Sequence, residues 1–93
     1  MYLDESDKWD KILQMLRREN VAGASVLRGS AGFSGRDQIH RASIVERGGD
    51  LPVILIFVDM EEHVSRVLPK LSELAPHKLI VRENVVIEQG NLE

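Results

Sequence analysis

The stretch Leu51–Glu62, LPVILIFVDMEE, decides how the rest of the chain folds. The run Val53–Val58 is continuously apolar, which is typical of a strand that is buried on both faces in the middle of a sheet. Asp59 followed three residues later by Glu62 is a capping-box pattern, so a helix should begin directly after the strand. Apolar residues then keep helical spacing until Pro76, which ends the helix.

A second helix is predicted upstream, after a very short strand at Met1–Asp4. Asp7 is its expected N-cap. Its apolar stripe has the spacing i, i+3, i+4 and i+7 and consists of Trp9, Ile12, Leu13 and Leu16. A strand is predicted next, over Val21–Arg28. The acidic residues near this helix are interpreted as helix-terminus groups rather than as a metal or acid–base pair.

The last predicted strand covers Leu79–Ile87 and carries a bulge at Arg82-Glu83-Asn84. It is followed by a polar tail, Glu88–Glu93. The order is then strand, helix, strand, strand, helix, strand. This order predicts an α+β fold of the ferredoxin-like βαββαβ type, an antiparallel sheet with both helices on one face. The other face needs a cover, which three subunits around an axis would provide.

Length and composition limit the function classes. The 93 residues suffice for a single domain, residues 1–93, and the chain has no cysteine for a disulfide or a thiolate zinc site. A net charge of −3 with only four aromatic residues argues against nucleic-acid binding. No apolar run approaches the length of a membrane span and no leader opens the chain, so we expect a cytoplasmic protein.

A glycine-rich, cationic loop separates the second and third strands. Between Arg28 and Arg47 four arginines stand against two acidic residues, a local balance of +2. Such a loop can bring an anion to backbone N–H groups. The alternative, which composition alone favours, is a flexible hairpin loop whose arginines are merely solvated.

Known catalytic motifs fail in this loop. The Walker and dinucleotide patterns do not fit its glycines, and Arg36 replaces the last glycine of a nucleophile elbow around Ser34. Neither His63 nor the other two histidines have a recognised metal-ligand spacing, and His63 is interpreted as a surface residue. The sequence therefore predicts a protein that is not an enzyme and needs no cofactor.

Several segments closely resemble one family. They are Glu5–Trp9, Val21–Phe33, Ile39–Ala42, Asp50–Val53 and Val58-Asp59. Together they resemble DUF190, a branch of the PII-like (nitrogen regulatory, GlnB-like) superfamily, over nearly the whole chain. The resemblance implies a trimer of ferredoxin-like protomers. It also implies a T-loop at about residues 29–50 that contacts targets and whose base helps to form a nucleotide site between subunits.

The resemblance and the loop together give a first hypothesis, a non-enzymatic regulator that binds a small anionic ligand or nucleotide. A membrane transporter or channel is the partner that the resemblance implies. The candidate ligand-binding residues are Arg28, Gly29, Gly32, Phe33, Gly35, Arg36, His40 and Arg41. The alternatives are a metal-binding trimer similar to cation-tolerance proteins and an interaction scaffold without a ligand.

The sequence departs from the pattern of the family and its superfamily in several places. Ser34 replaces the second glycine of the Gly-Phe-Gly motif, which moves a glycine to position 35. The glycine-rich phosphate loop before the last strand is replaced by Pro76-His77-Lys78. The C-terminal arginine-bearing segment of PII proteins is absent as well, and Lys78 and Arg82 are substitutes for it by location only. The first strand is also short compared with the family, which indicates either a misplaced start or a truncated central strand.

Overall fold

A computed structural model describes residues 1–33, 39–41 and 51–92. Its elements in chain order are β1 (Tyr2–Asp4), α1 (Trp9–Arg18), β2 (Ala24–Arg28), β3 (Ala31–Gly32), β4 (His40–Arg41), β5 (Pro52–Phe57) and α2 (Glu61–Leu74). Strands β1, β5 and β2 form an antiparallel sheet in that order, and β3 pairs with β4 in a separate two-stranded ribbon. The prediction of a small α+β fold with two helices and an antiparallel sheet is confirmed, and this architecture is compatible with the ferredoxin-like fold.

One core lies between the helices and one face of the sheet. Its fully buried side chains are Ile12, Leu16, Val53, Leu55, Val67 and Leu71. They come from α1, β5 and α2, so both helices pack on the same face of the sheet. The predicted stripe of α1 therefore faces the core, with Trp9 and Leu13 at its half-buried margin.

Strand β5 is central, as predicted, but it is not buried on both faces. Val53 and Leu55 face the helices and are buried, whereas Ile56 is 47% exposed on the opposite face. The reason is that both helices cover one face only. Tyr2, Leu27 and Ile54 stand beside one another across the three strands on this uncovered face, because Tyr2 and Leu27 are both register partners of Ile54.

Both predicted helix caps are displaced by one residue. Helix α1 is capped at Lys8 rather than Asp7, and α2 at Met60 rather than Asp59, and neither cap residue makes a side-chain hydrogen bond. The two aspartates are used elsewhere. The carboxylate of Asp7 accepts a hydrogen bond from the backbone N–H of Asp4 at 2.9 Å, and the bonds of Asp59 are described with the functional site.

The predicted last strand is wrong for the described residues, because residues 79–87 run without strand pairing. The backbone N–H of Tyr2 donates to the carbonyl oxygen of Leu79 at 3.0 Å, which places the segment beside β1. Strand β1 has only three residues. A strand needs a neighbour along its length for its ladder, and β1 is too short to provide one for residues 79–87.

Helix length bears on membrane insertion. Within the described ranges, neither helix has the length and apolar character that crossing a bilayer requires.

Candidate functional site at the root of the long loop

The long loop leaves the sheet through a small ribbon. Strand β2 ends at Arg28. Strands β3 and β4 then pair as a two-stranded ribbon, in which Ala31 lies opposite Arg41 and Gly32 lies opposite His40. The ribbon thus brings the backbones of two pairs of distant residues together where the loop begins. We call this region, Arg28–Phe33 with His40 and Arg41, the loop root.

Pro52, the first residue of β5, is the support on which the loop root rests. The N–H of Gly29 donates to the carbonyl oxygen of Pro52 at 2.8 Å. A Cβ atom on Gly29 would lie 2.6 Å from Pro52 Cγ, and one on Gly32 would lie 3.0 Å from the same atom. Glycine is therefore required at position 29 so that the backbone can approach the proline ring closely, and a side chain at position 32 would be tight against the same ring.

The structure brings together some of the eight site residues predicted from the sequence, but not all of them. It brings Gly29 and Gly32 together around Pro52, and it sets the backbones of His40 and Arg41 opposite β3. Gly35 and Arg36 lie outside the described residues. The N–H of Gly29 already donates a hydrogen bond to Pro52, so it is not available to bind an anion.

The two remaining predicted residues are accessible at the loop root. Arg28 is exposed at the end of β2, and its register partner Val53 is buried under the helices, so Arg28 stands on the helix-bearing side of the sheet. Phe33 is 67% exposed, which is unusual for a phenylalanine. A cationic and an aromatic side chain are thus both open to solvent beside the ribbon.

Lys78 does not act as a free cation near the loop root. Its Nζ lies 3.0 Å from Asp7 Oδ2 and 3.4 Å from Asp4 Oδ2. The hydrogen bond to Asp7 raises the pKa of Lys78, with the charges of Asp4 and Asp7 acting in the same direction against partial burial. Arg82 also has a partner, because its guanidinium donates to Ser65 Oγ at 3.2 Å. Lys78 and Arg82, the two substitutes by location, are therefore engaged in contacts within the chain.

We expect Lys78→Gln to lower the free energy of unfolding by up to about 1 kcal/mol, because the ion pairs are partly exposed and screened by salt. The raised pKa means that this contribution is present below the ordinary value of 10.5 and is lost as the pH rises above it. Urea denaturation at low and high salt measures it. A loss that salt does not reduce would contradict an electrostatic origin.

The structure reveals a polar network that sequence reasoning missed. His63 Nδ1 lies 2.9 Å from Asp59 Oδ2, and His63 Nε2 lies 2.6 Å from the backbone oxygen of Glu19. Lys70 Nζ pairs with the carboxylate of Glu19. His63 is therefore not a simple surface residue, because its ring joins the end of α1 to the start of α2. The i, i+4 spacing of Asp59 and His63 was the available signal.

Asp59 is the centre of this network. Its Oδ1 accepts from the N–H of Met60 at 2.7 Å, and its Oδ2 accepts from the N–H of Ala22 at 3.0 Å. Burial alone would raise the pKa of Asp59, but these two backbone hydrogen bonds and the nearby His63 outweigh it, so the pKa is lowered. Both ring nitrogens of His63 and both carboxylate oxygens of Asp59 are engaged in these contacts. The network therefore holds the two helices together and is not an open acid–base pair.

A cavity of about 420 Å³ lies at the end of the sheet away from the loop root. It is lined by Ala22, Gly23, Ala24, Ser25, Ile56, Phe57, Val58, Asn91 and Leu92. None of the predicted ligand-binding residues is among them. In the part of the chain that the structure describes, no group of three histidine, cysteine or acidic side chains could hold a metal ion.

The fold and the loop root together define a small α+β protein with a long loop supported on the central strand. The chain belongs to the DUF190 family, whose model, described as "Uncharacterized ACR, COG1993", matches residues 1–87. The chain is also similar to the UPF0166 protein MJ1524 of Methanocaldococcus jannaschii, with 39% identity over 80 residues, which cover 80% of this chain and 73% of that protein. No solved structure matches the chain significantly.

Proposed function

We propose that this protein is a non-enzymatic, PII-like regulator that binds a small anionic ligand, such as a nucleotide, and acts on a partner through its long loop. The observation that carries the proposal is the loop root, where an exposed arginine and an exposed aromatic ring flank a ribbon supported on Pro52. Membership of DUF190 supports it, because the sequence resembles that family as a branch of the PII-like superfamily.

The ligand chemistry follows from the charged groups that remain available. Lys78 and Arg82 are engaged within the chain, whereas Arg28 is exposed at the loop root. The proposal assigns the anion to Arg28 together with Arg36 and Arg41, the two further arginines predicted from the sequence. Guanidinium groups bind phosphate or carboxylate with two parallel hydrogen bonds. Phe33 offers an apolar ring for a base or for closing the loop over the ligand.

The uncovered face of the sheet supports assembly into a trimer. Tyr2, Leu27, Ile56 and Val58 are each more than two-fifths exposed there. Contiguous apolar surface of this kind usually marks an interaction site in a small domain. Three copies packed around an axis would cover it, and the ligand site would then lie in the clefts between subunits.

The loop provides the route to a partner. A ligand that binds better to one arrangement of a loop than to another shifts the population of that loop, and a partner protein can recognise the difference. By its resemblance, the partner is a membrane transporter or channel. Its binding should then depend on the ligand that occupies the loop root.

Ligand-dependent thermal stability tests the proposal. A panel of adenine nucleotides, cyclic nucleotides, dicarboxylates, bicarbonate and divalent metals is added to the full chain. A ligand at a hundred times its dissociation constant adds about 2.7 kcal/mol, which is roughly 10 °C or more in Tm for a domain of this size. We expect an anion to produce this shift in the wild type and Arg28→Ala or Arg36→Ala to abolish it.

Arg66→Ala is the matched control, because it removes an exposed arginine from α2, away from the loop root. It should leave the shift unchanged. An anion shift that survives both loop substitutions would contradict a site at the loop root, and a panel without any shift would contradict ligand binding. A shift with metals alone would instead favour the metal-binding alternative.

A further inference from the structure

The ring of His63 faces a hydrogen-bond acceptor at each of its nitrogens. Nε2 lies 2.6 Å from the carbonyl oxygen of Glu19, and Nδ1 lies 2.9 Å from Oδ2 of Asp59. A carbonyl oxygen can only accept, so Nε2 must carry a hydrogen for the first contact to be a hydrogen bond. Neutral imidazole has one N–H and one lone pair, whereas imidazolium has two N–H groups. Only the imidazolium can therefore donate to both partners.

The proton between His63 and Asp59 belongs on the ring. The carboxylate of Asp59 already accepts from the N–H groups of Ala22 and Met60, and such bonds stabilise the charged carboxylate. Against the effect of burial, they lower the pKa of Asp59. A neutral ring would turn a lone pair towards either this carboxylate or the carbonyl oxygen of Glu19. One hydrogen bond would then be lost at a site where the His63 side chain is only 15% exposed.

The charged groups around the ring favour the imidazolium as well. Asp59, which precedes α2, faces Nδ1 directly. Glu19, at the end of α1, presents its carbonyl oxygen to the ring, while its carboxylate pairs with Lys70 of α2. Lysine thus neutralises one carboxylate of the network, and the other is left for the ring. The remaining charged side chains at the end of α1 and the start of α2 are exposed to solvent: Arg17, Arg18, Glu61, Glu62 and Arg66.

We propose that His63 binds a proton in the folded protein and that the resulting imidazolium is a pH-sensitive link between the ends of α1 and α2. The charge of a histidine ordinarily changes between about pH 5 and 8. The unfolded chain does not hold the two acceptors in place, so the folded state binds the proton more firmly. The link therefore stabilises the fold where the ring is charged, and this stabilisation is lost as the pH rises and the proton leaves.

Unfolding at two pH values tests the link with matched variants. His63→Gln replaces the ring by an amide that does not titrate, and His77→Gln makes the same change at an exposed histidine outside both helices. Urea denaturation of the full chain, at one protein concentration, gives the unfolding equilibrium constant at about pH 5.5 and about pH 8.5. We expect His63→Gln to raise this constant at least about tenfold more at the lower pH, because hydrogen bonds from a charged group are the stronger ones.

His77→Gln should change the unfolding constant by the same factor at both pH values. An effect of His63→Gln that is equal at both pH values, or larger at the higher one, would overturn the proposal.

The role of Asp59 as the partner of the proton is tested in the Asp59→Asn background. The amide of asparagine can accept from an N–H or donate to a lone pair, so a neutral ring keeps its contact. The pH dependence of the His63→Gln effect should then shrink to less than about threefold. An undiminished pH dependence in this background would overturn the proposed link, because the proton would be held without Asp59.

A measurement on the unmodified protein covers the case in which His63→Gln fails to fold. Long-range ¹H–¹⁵N correlation spectra report which ring nitrogens of a histidine carry a hydrogen. At about pH 7 we expect the ring of His63 to be mainly imidazolium in the folded chain and mainly neutral in the chain unfolded by urea. A folded ring that is as neutral as the unfolded one would overturn the proposal.

Discussion

Asp59→Asn should lower the free energy of unfolding by about 1.5–3 kcal/mol, because hydrogen bonds to a charged group contribute more than hydrogen bonds between neutral groups. The Asp59 side chain is only 5% exposed and accepts bonds from two backbone N–H groups as well as from His63. The amide of asparagine has one oxygen acceptor instead of two. At least one of the donors that now meet Oδ1 or Oδ2 would face an NH₂ group. Urea denaturation at neutral pH measures the loss.

The pH dependence of this loss has a defined sign. The pKa of Asp59 is lowered in the folded state below its ordinary value of 3.8. The carboxylate therefore contributes stability above that value, and the contribution disappears as the pH falls through the folded-state pKa. The difference in stability between wild type and Asp59→Asn should accordingly shrink in acid.

Glu62→Gln is the matched control for Asp59→Asn. It makes the same change of charge near the start of α2, but Glu62 is exposed. We expect it to cost less than about 0.5 kcal/mol, as for surface positions in general. Equal losses in the two variants would show that the charge at the helix start matters rather than the network. A double-mutant cycle with His63→Ala should give a coupling energy between Asp59 and His63.

The elements of this fold that are governed by local periodicity could be predicted from the sequence. The stripe of α1 indicates directly which side chains are buried, because its period of 3.6 selects one face of the helix. The continuous apolar run of β5 indicates a central strand but not which of its two faces is covered. The exact helix caps could not be predicted, since Asp7 pairs with Lys78 and Asp59 accepts a hydrogen bond from Ala22, two groups that only the tertiary structure brings near.

The predictions that were wrong concern a strand at the edge of the sheet and a polar network. Both depend on contacts between residues that are distant in the sequence. Val85 and Val86 have strand propensity, but a strand forms only where a neighbour exists, and β1 is too short to provide one. The position of His63 off the apolar stripe of α2 predicts a surface residue, whereas its ring pairs with Asp59 one helical turn earlier. Its second partner, the carbonyl of Glu19, is 44 residues away and no pattern indicates it.

The candidate site, like the fold, could be predicted from the sequence only in part. The sequence indicated a glycine-rich root with arginines, and the structure places that root at Pro52. What the sequence could not indicate was the reason for Gly29 and Gly32. Glycine allows close approach to any group, so the pattern fits an anion and a proline ring equally well. The coordinates assign the close approach to Pro52, while Arg28 and Phe33 remain open to solvent.

Gly29→Ala should destabilise the fold by about 1–3 kcal/mol, the usual cost of inserting a methyl group into a packed contact. The added Cβ would lie 2.6 Å from Pro52 Cγ, and the proline ring has little freedom to move. The backbone of Gly29 is not in the left-handed region, so the contact alone carries the effect. Chemical denaturation measures it, and Gly29→Ala combined with Pro52→Ala should recover part of the loss.

Gly23→Ala is the control, because a Cβ there would meet no atom within 4 Å. It should be neutral or should stabilise by up to about 1 kcal/mol, through the lower entropy of the unfolded chain. A cost at Gly29 no larger than that at Gly23 would contradict the packing argument. The N–H of Gly29 is donated to Pro52, and alanine keeps that donor. We therefore expect Gly29→Ala to retain the anion-dependent shift in Tm that Arg28→Ala abolishes. Gly29 packs the loop root against Pro52, whereas Arg28 is the residue proposed to bind the ligand.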